Sequence, residues 1–242
     1  LAHLLNQHPD IVLSDPKEPG YFVDPETRGE AWYRSCFPPA LPAVLLDAST
    51  GYTMAPVQQG GQDAVPARIK AVSPDAKFIY VRSGHPLGDL RQAVDQEPFY
   101  VDVSLYHSQI SLYLRHFPRE RFLFVDFEEI GHDPVAVANR CIAFAGLDPN
   151  RAALRFDAPK NQSFQFNGIG RRFFDLFPNE RAASDFVSAV KSITPDFVHR
   201  LAKSAMTKET EDTDPADRAW LAERFHDENR QMEALVGFRF YR

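Results

Sequence analysis

The sequence predicts an α/β protein with a central parallel sheet flanked by helices and a helical C-terminal part. Three observations carry that reading: four short apolar runs, amphipathic segments of helical period between them, and a long helical stripe near the C-terminus. The runs Ile11 to Leu13, Ala43 to Leu46, Phe78 to Val81 and Phe122 to Val125 are continuously apolar, as strands covered on both faces require.

Taken in order, Leu1 to Gln7 reads as the end of an amphipathic helix, so the polypeptide is expected to continue upstream. Glu26 to Arg34, Val65 to Val72 and Val103 to Phe117 read as helices. In the third, Leu105, Ile110, Leu112, Tyr113 and Phe117 form one stripe. Asp133-Pro134 opens another helix in N-cap and N1 order, and Gly146 stops it. Pro159 to Arg172 holds basic residues and glycines with little periodicity and reads as a mobile loop. Helical patterns resume at Ala182 to Val190. After an exposed polar connector, Thr207 to Asp214, the capping sequence Thr213-Asp214-Pro215 starts a stripe that runs to Val236 and ends at Gly237.

At 242 residues the chain suits a single domain, residues 1–242, large enough to bury a substantial core. Hydrophobic content of 44% and charged content of 25% are those of an ordinary globular protein. No run reaches the roughly 20 apolar residues of a membrane span. A net charge of −6 argues against broad attraction to nucleic acid or another polyanion, and leaves room for a local basic pocket. Two cysteines, Cys36 and Cys141, make neither a disulfide framework nor a metal site, and Cys141 reads as a buried thiol. With no secretory signal in view, the expected location is cytoplasmic. The sequence does not select an oligomeric state.

His8-Pro9-Asp10-Ile11, followed by Lys17-Glu18-Pro19-Gly20-Tyr21-Phe22, sets a carboxylate on a Pro- and Gly-punctuated turn just past the first strand. Enzymes of this class keep their chemistry at such turns. A carboxylate there can accept a hydroxyl proton; the plain alternative is a turn cap or a partner for Lys17. The run resembles the start of the sulfotransferase family that uses 3′-phosphoadenosine 5′-phosphosulfate (PAPS), particularly the branch of heparan sulfate sulfotransferases and bacterial relatives, which reads HPxI and then KEPxYF.

The resemblance extends along most of the chain. Trp32-Tyr33 with Phe37 is similar to the family's WYxxxF helix, and Asp47-Ala48-Ser49-Thr50-Gly51-Tyr52 to its E-x-S-x-x-Y strand end. Val65-Pro66-Ala67-Arg68-Ile69, Pro74-Asp75-Ala76-Lys77 and the strand ending at Arg82 are similar to VPxRI…PDAKLIxxLR. Ser104-Leu105-Tyr106-His107, Val125-Asp126-Phe127-Glu128-Glu129-Ile130 and Phe144-Ala145-Gly146-Leu147 follow in the family's order.

The resemblance implies a P-loop-NTPase-like three-layer fold and transfer of a sulfuryl group from PAPS, as cosubstrate and without a metal, to a hydroxyl or amine of a carbohydrate or small-molecule acceptor. It implies Glu18 as general base; Lys17 beside it is read either as attracting the sulfonate or as a solvated partner of the carboxylate. The resemblance assigns Arg82 to the 3′-phosphate, Arg171 and Arg172 to a loop over the nucleotide, and Asp47, Ser49, Thr50 and Tyr52 to the acceptor pocket; His107, beside Tyr106 on a helix, is read either as a second acid or base at the acceptor or as a plain core or surface histidine. Phe164 and Phe166 are candidates to lie against the adenine.

Three departures stand against the pattern. After Arg82 the family continues R-x-P-x-x-R-x-x-S, whereas this chain reads Arg82-Ser83-Gly84-His85-Pro86, so Ser83 is the substitute phosphate ligand or a stretch is missing between Arg82 and Gly84. The Gly- and Lys-containing 5′-phosphosulfate loop is expected just upstream of Leu1. Ala48 stands where heparan-type members carry lysine, which weakens the case for a polyanionic acceptor. Two other readings stay open: a degenerate nucleotide-binding module without activity, and a nucleotide or small-molecule kinase on a related fold, which magnesium dependence would distinguish.

Overall fold

The computed structural model describes residues 1–39, 44–54, 64–82, 91, 94, 98–156, 165–166, 207–208 and 214–237. The chain divides into two compact units, residues 1–158 with 214–242, and residues 159–213.

In the larger unit, α1 (Ala2–Leu5) leads into β1 (Ile11–Leu13), α2 (Pro25–Ser35) and β2 (Val44–Leu46). Next come α3 (Ala64–Val72), β3 (Phe78–Arg82), α4 (Pro98–Ser104), α5 (Tyr106–Leu114) and β4 (Phe122–Asp126). α6 (Phe127–His132), α7 (Pro134–Ala145), α8 (Pro215–Arg224) and α9 (His226–Val236) complete it. β1 pairs with β2 in parallel, Ile11 opposite Val44, and β3 pairs with β4 in parallel, Phe78 opposite Phe122 and Arg82 opposite Asp126. Parallel pairs joined through helices are the α/β arrangement the sequence predicts, here as two separate two-stranded ladders among the described residues.

Alternation along β3 and β4 divides the core into two layers. Phe78, Tyr80, Phe122 and Phe124 face an aromatic cluster with Tyr21, Phe22, Tyr113, Phe117 and Met232. Ile79, Val81, Leu123 and Val125 face an aliphatic cluster with Leu4, Leu5, Ile11, Val137, Ala138, Cys141 and Ile142. Burial of both faces holds for this ladder. It fails for β2, whose Leu45 is 43% exposed: the expected two-sided cover is absent there.

Capping chemistry sets several boundaries. Asp133 accepts from the Ala136 amide with Pro134 in the first turn, and Gly146 closes α7 at φ 93°, a left-handed conformation glycine adopts without penalty. Asp214 likewise accepts from the Ala216 amide at the start of α8. Cys141 and Cys36 are both buried free thiols.

Three helices expected to be continuous are interrupted. The stripe from Val103 to Phe117 breaks at Leu105 (φ −80°, ψ 67°), where the chain ends α4 and restarts as α5. The break sends Leu105 to a cluster with Val101 and Phe225 while Ile110 and Tyr113 join the aromatic layer. Glu228 of α9 accepts from the backbone amide and the hydroxyl of Ser108, so one amide of the new helix start finds an acceptor. The stripe from Pro215 to Val236 splits at Phe225, buried in that same cluster. Gly29 (φ 74°, ψ 161°) kinks α2.

In the unit of residues 159–213, β5 (Gln165–Phe166) pairs antiparallel with β6 (Thr207–Lys208). Two residues of the predicted loop and the first two of the predicted connector are therefore strand. The helix expected at Ala182 to Val190 lies outside the described residues.

Candidate active site

The two parallel strands β1 and β2 deliver two acidic segments side by side. Beyond β1, the Asp15–Pro16 peptide is cis, the Ser14 hydroxyl donates to the Lys17 carbonyl (3.0 Å), and Gly20 takes φ 64°. This compact turn presents Glu18 with its side chain 41% exposed, open to an incoming molecule. Lys17 Nζ donates to Glu18 Oε1 at 2.8 Å, and the Thr50 hydroxyl, from the 3₁₀ turn Thr50–Thr53 past β2, donates to Oε2 at 3.1 Å. Burial pushes the Glu18 pKa up, but the hydrogen bonds from Lys17 and Thr50 outweigh it and hold the carboxyl below the usual glutamate range.

Asp47 immediately follows β2 and is the most heavily bonded carboxylate of the site. Its Oδ1 accepts from the Ser49 amide (2.9 Å) and the Ser49 hydroxyl (2.6 Å). Its Oδ2 accepts from Tyr52 (2.7 Å) and from Tyr33 of α2 (3.1 Å). Ser49 Oγ in turn accepts from the Gly20 amide at 2.9 Å, which ties the segment past β2 to the turn that carries Glu18. Burial, with Asp47 adding to it, raises both tyrosine pKa values, so Tyr33 and Tyr52 act as donors.

The aromatic layer lies under this pair of segments. Tyr33 stacks on Tyr21 at 4.6 Å and meets Phe22 edge-on at 5.1 Å, while Phe22 meets Tyr52 edge-on at 5.5 Å. The Tyr113 hydroxyl donates to the Tyr52 carbonyl at 2.6 Å. Arg68, read in the sequence only as part of a motif, donates to the carbonyls of Phe22 (3.0 Å) and Val23 (2.8 Å) and so pins the chain just after the glutamate turn.

Among the expected site residues, Glu18, Lys17, Ser49 and Thr50 form one connected group with Asp47 and Tyr52. Arg82 ends β3 opposite Asp126, whose carboxylate accepts from the Glu128 amide at the start of α6. Tyr80, two residues before Arg82, faces the aromatic layer that also takes in Tyr52 of the 3₁₀ turn. His107 lies in the first turn of α5. Its Nε2 is 3.5 Å from the Ser111 hydroxyl on the same helix, and no hydrogen bond among the described residues joins it to the Glu18 group. Ser83, Arg171, Arg172 and Phe164 lie outside the described residues, and Phe166 is placed only as strand backbone.

Two residues gained importance that sequence reasoning had not assigned. Tyr33 was visible only as part of Trp32-Tyr33, yet it reaches Asp47. His8, in the HPDI run, is buried. Its Nδ1 accepts from the Asp10 amide (3.1 Å), which leaves Nε2 to donate to the Asp148 carbonyl (3.0 Å), so the ring clips the start of β1 to the segment past α7.

Comparison with known proteins adds three findings. Residues 92–171 match the family model described as a sulfotransferase domain. The chain is 29% identical over 172 residues to heparan sulfate glucosamine 3-O-sulfotransferase 6 of Homo sapiens, covering 61% of this chain and 48% of the relative. It is 27% identical over 173 residues to heparan sulfate glucosamine 3-O-sulfotransferase 3B1 of Mus musculus, covering 61% and 42%. These matches span about half the length of the relatives or less. A crystal structure of a sulfotransferase from Alicyclobacillus acidocaldarius shares the fold, with a TM-score of 0.58 and 19% identity over 97% of this chain and 88% of that one. The matched segment and the relatives are similar to sulfotransferases and the fold is shared with one, in agreement with the resemblance read from the motifs.

Proposed function

We propose that this chain catalyses sulfuryl transfer from PAPS to a hydroxyl or amine of a carbohydrate or small-molecule acceptor, with Glu18 as general base. The observation that carries the proposal is the exposed Glu18 carboxylate past the end of β1, kept ionised by Lys17 and Thr50.

The donor set suits an anionic nucleotide. Lys17 lies beyond the C-terminal end of β1 and Arg82 at that of β3, and Thr50 of the turn past β2 donates to Glu18 beside Lys17. The nucleotide supplies the sulfuryl group. Glu18 accepts the proton that the acceptor hydroxyl loses as its oxygen bonds to sulfur, while the bond from sulfur to the 5′-phosphate oxygen breaks and 3′-phosphoadenosine 5′-phosphate leaves. Lys17, 2.8 Å from Glu18, sets a positive charge beside the base, where it attracts the sulfonate. Arg82, with Ser83, Arg171 and Arg172, is proposed to hold the phosphates.

Two measurements test the proposal. Calorimetry with 3′-phosphoadenosine 5′-phosphate on the full-length protein should register binding, and its absence would remove the proposal. Glu18→Gln should keep that binding and lose turnover by roughly a hundredfold or more; unchanged turnover would refute the base. Binding without transfer to any acceptor in a panel would favour the degenerate module, a reading that the altered run after Arg82 keeps in view.

A further inference from the structure

We propose that Asp47 is a positioning residue for Glu18: its carboxylate anchors the segment past β2 so that Ser49 fixes the Gly20 amide and Thr50 fixes the Glu18 carboxylate. The inference rests on the assignment of Glu18 as base and differs from the acceptor-binding role the resemblance suggests for Asp47.

Hydrogen-bond geometry carries the argument. Asp47 accepts four hydrogen bonds within the protein, two on each carboxylate oxygen, from Ser49 twice, Tyr33 and Tyr52. A carboxylate so occupied has little capacity left for an acceptor. The same bonds rigidify what lies next to it. Ser49 Oγ spends its proton on Asp47, which directs an oxygen lone pair to the Gly20 amide two residues beyond Glu18. Thr50, the next residue, places its hydroxyl 3.1 Å from Glu18 Oε2. Asp47 is itself held from two elements, by Tyr33 on α2 and by Tyr52 in the 3₁₀ turn, and Tyr52 is held in turn by Tyr113 on α5. Glu18 thus inherits its orientation from the aromatic layer through Asp47.

The titratable groups around this path are few. Lys17 faces Glu18; Tyr33, Tyr52 and Cys36 face Asp47, with Asp15 and Arg28 also acting on the Cys36 thiol. Loosening the anchor lengthens the Thr50 contact and removes one of the two hydrogen bonds that keep Glu18 ionised, so its titration moves upward toward the ordinary glutamate value of about 4.3.

The experiment follows the Glu18 carboxyl by 13C NMR on the labelled chain, assigned with Glu18→Gln, in the wild type, Asp47→Asn and Ser49→Ala. The expected result is a higher Glu18 midpoint in both variants. In acceptor assays kcat should fall about tenfold, with the acceptor KM within about twofold, the pattern of a lost orientation rather than a lost binding contact. An unchanged midpoint in both variants would overturn the inference whether or not transfer is detected. A raised acceptor KM with kcat and midpoint unchanged would return Asp47 to the acceptor pocket. If Asp47→Asn does not fold, Ser49→Ala decides, since it cuts the link to Gly20 and one bond to Asp47 and leaves both tyrosine bonds in place. A wild type that transfers no sulfuryl group but shows the midpoint shift would sink the proposed function and leave the coupling standing.

Discussion

The two faces of the β3–β4 ladder do different work with the same backbone. One face packs Ile79, Val81, Leu123 and Val125 against Val137, Ala138, Cys141 and Ile142 of α7, a layer of aliphatic side chains that carry no hydroxyl. The other packs Phe78, Tyr80, Phe122 and Phe124 against Tyr113, Phe117, Tyr21 and Phe22, and the tyrosines of that layer pass hydrogen bonds onward to Asp47 and to the Tyr52 carbonyl. An aliphatic layer stabilises by burial alone, without direction. A tyrosine layer buries a comparable apolar body but keeps one directed bond per ring, so it transmits position as well as stability. The candidate site sits over the layer that can do both.

That contrast can be broken in three ways. The largest effect is expected from the aliphatic face. Ile142 is fully buried, and Ile142→Ala should cost about 2–5 kcal/mol of stability by removing buried methylenes and leaving a cavity. Chemical denaturation gives that number. Turnover per folded molecule should stay close to wild type at low temperature, and a selective loss of turnover would show that the aliphatic face also steers the site.

The next effect comes from the aromatic face. Tyr113→Phe deletes the 2.6 Å bond to the Tyr52 carbonyl at the cost of a single oxygen, a loss of about 1 kcal/mol. Here turnover should fall along with stability, because Tyr52 is one of the two rings that hold Asp47. A variant that loses stability and keeps kcat would remove the functional half of the contrast.

The smallest effect concerns acid. Glu18 titrates lower in the folded chain than in the unfolded one, so its contribution to stability is present above the unfolded value of about 4.3 and is lost as pH falls through the folded value. The carboxyl is well exposed, so the contribution is small. Melting temperatures measured from pH 6 down to 3 should therefore fall slightly more steeply for the wild type than for Glu18→Gln. Parallel curves would mean that Lys17 and Thr50 do not distinguish the ionised form.

Much of the local structure was legible from residue type and spacing. β1 runs from Ile11 to Leu13 as read, α7 begins at Asp133-Pro134 and ends at Gly146, and Asp214 caps α8, because each boundary is decided by residues within one turn of it. That Glu18, Lys17 and the segment from Asp47 to Tyr52 come together was legible for a related reason: parallel strands bring their C-terminal ends together, and these residues follow β1 and β2. The break at Leu105 was not legible. The acceptor for the Ser108 amide is Glu228, 120 residues away, and no local pattern predicts it. The role of Tyr33 was hidden similarly, since WYxxxF marks a helix and does not say which ring reaches a carboxylate on the following strand end.

By itself, the sequence determined the α/β class, the apolar strands β3 and β4, the helix caps, and the turn that carries Glu18, all of which follow from periodicity and short-range backbone chemistry. Only the tertiary structure decided what each polar group of the site bonds to. It turned Asp47 inward to two tyrosines and a serine, placed Thr50 on Glu18, and left His107 on its own helix. The physical reason is that hydrogen bonds act over about 3 Å and within narrow angles, so their partners are known only once packing has brought distant segments to within that reach.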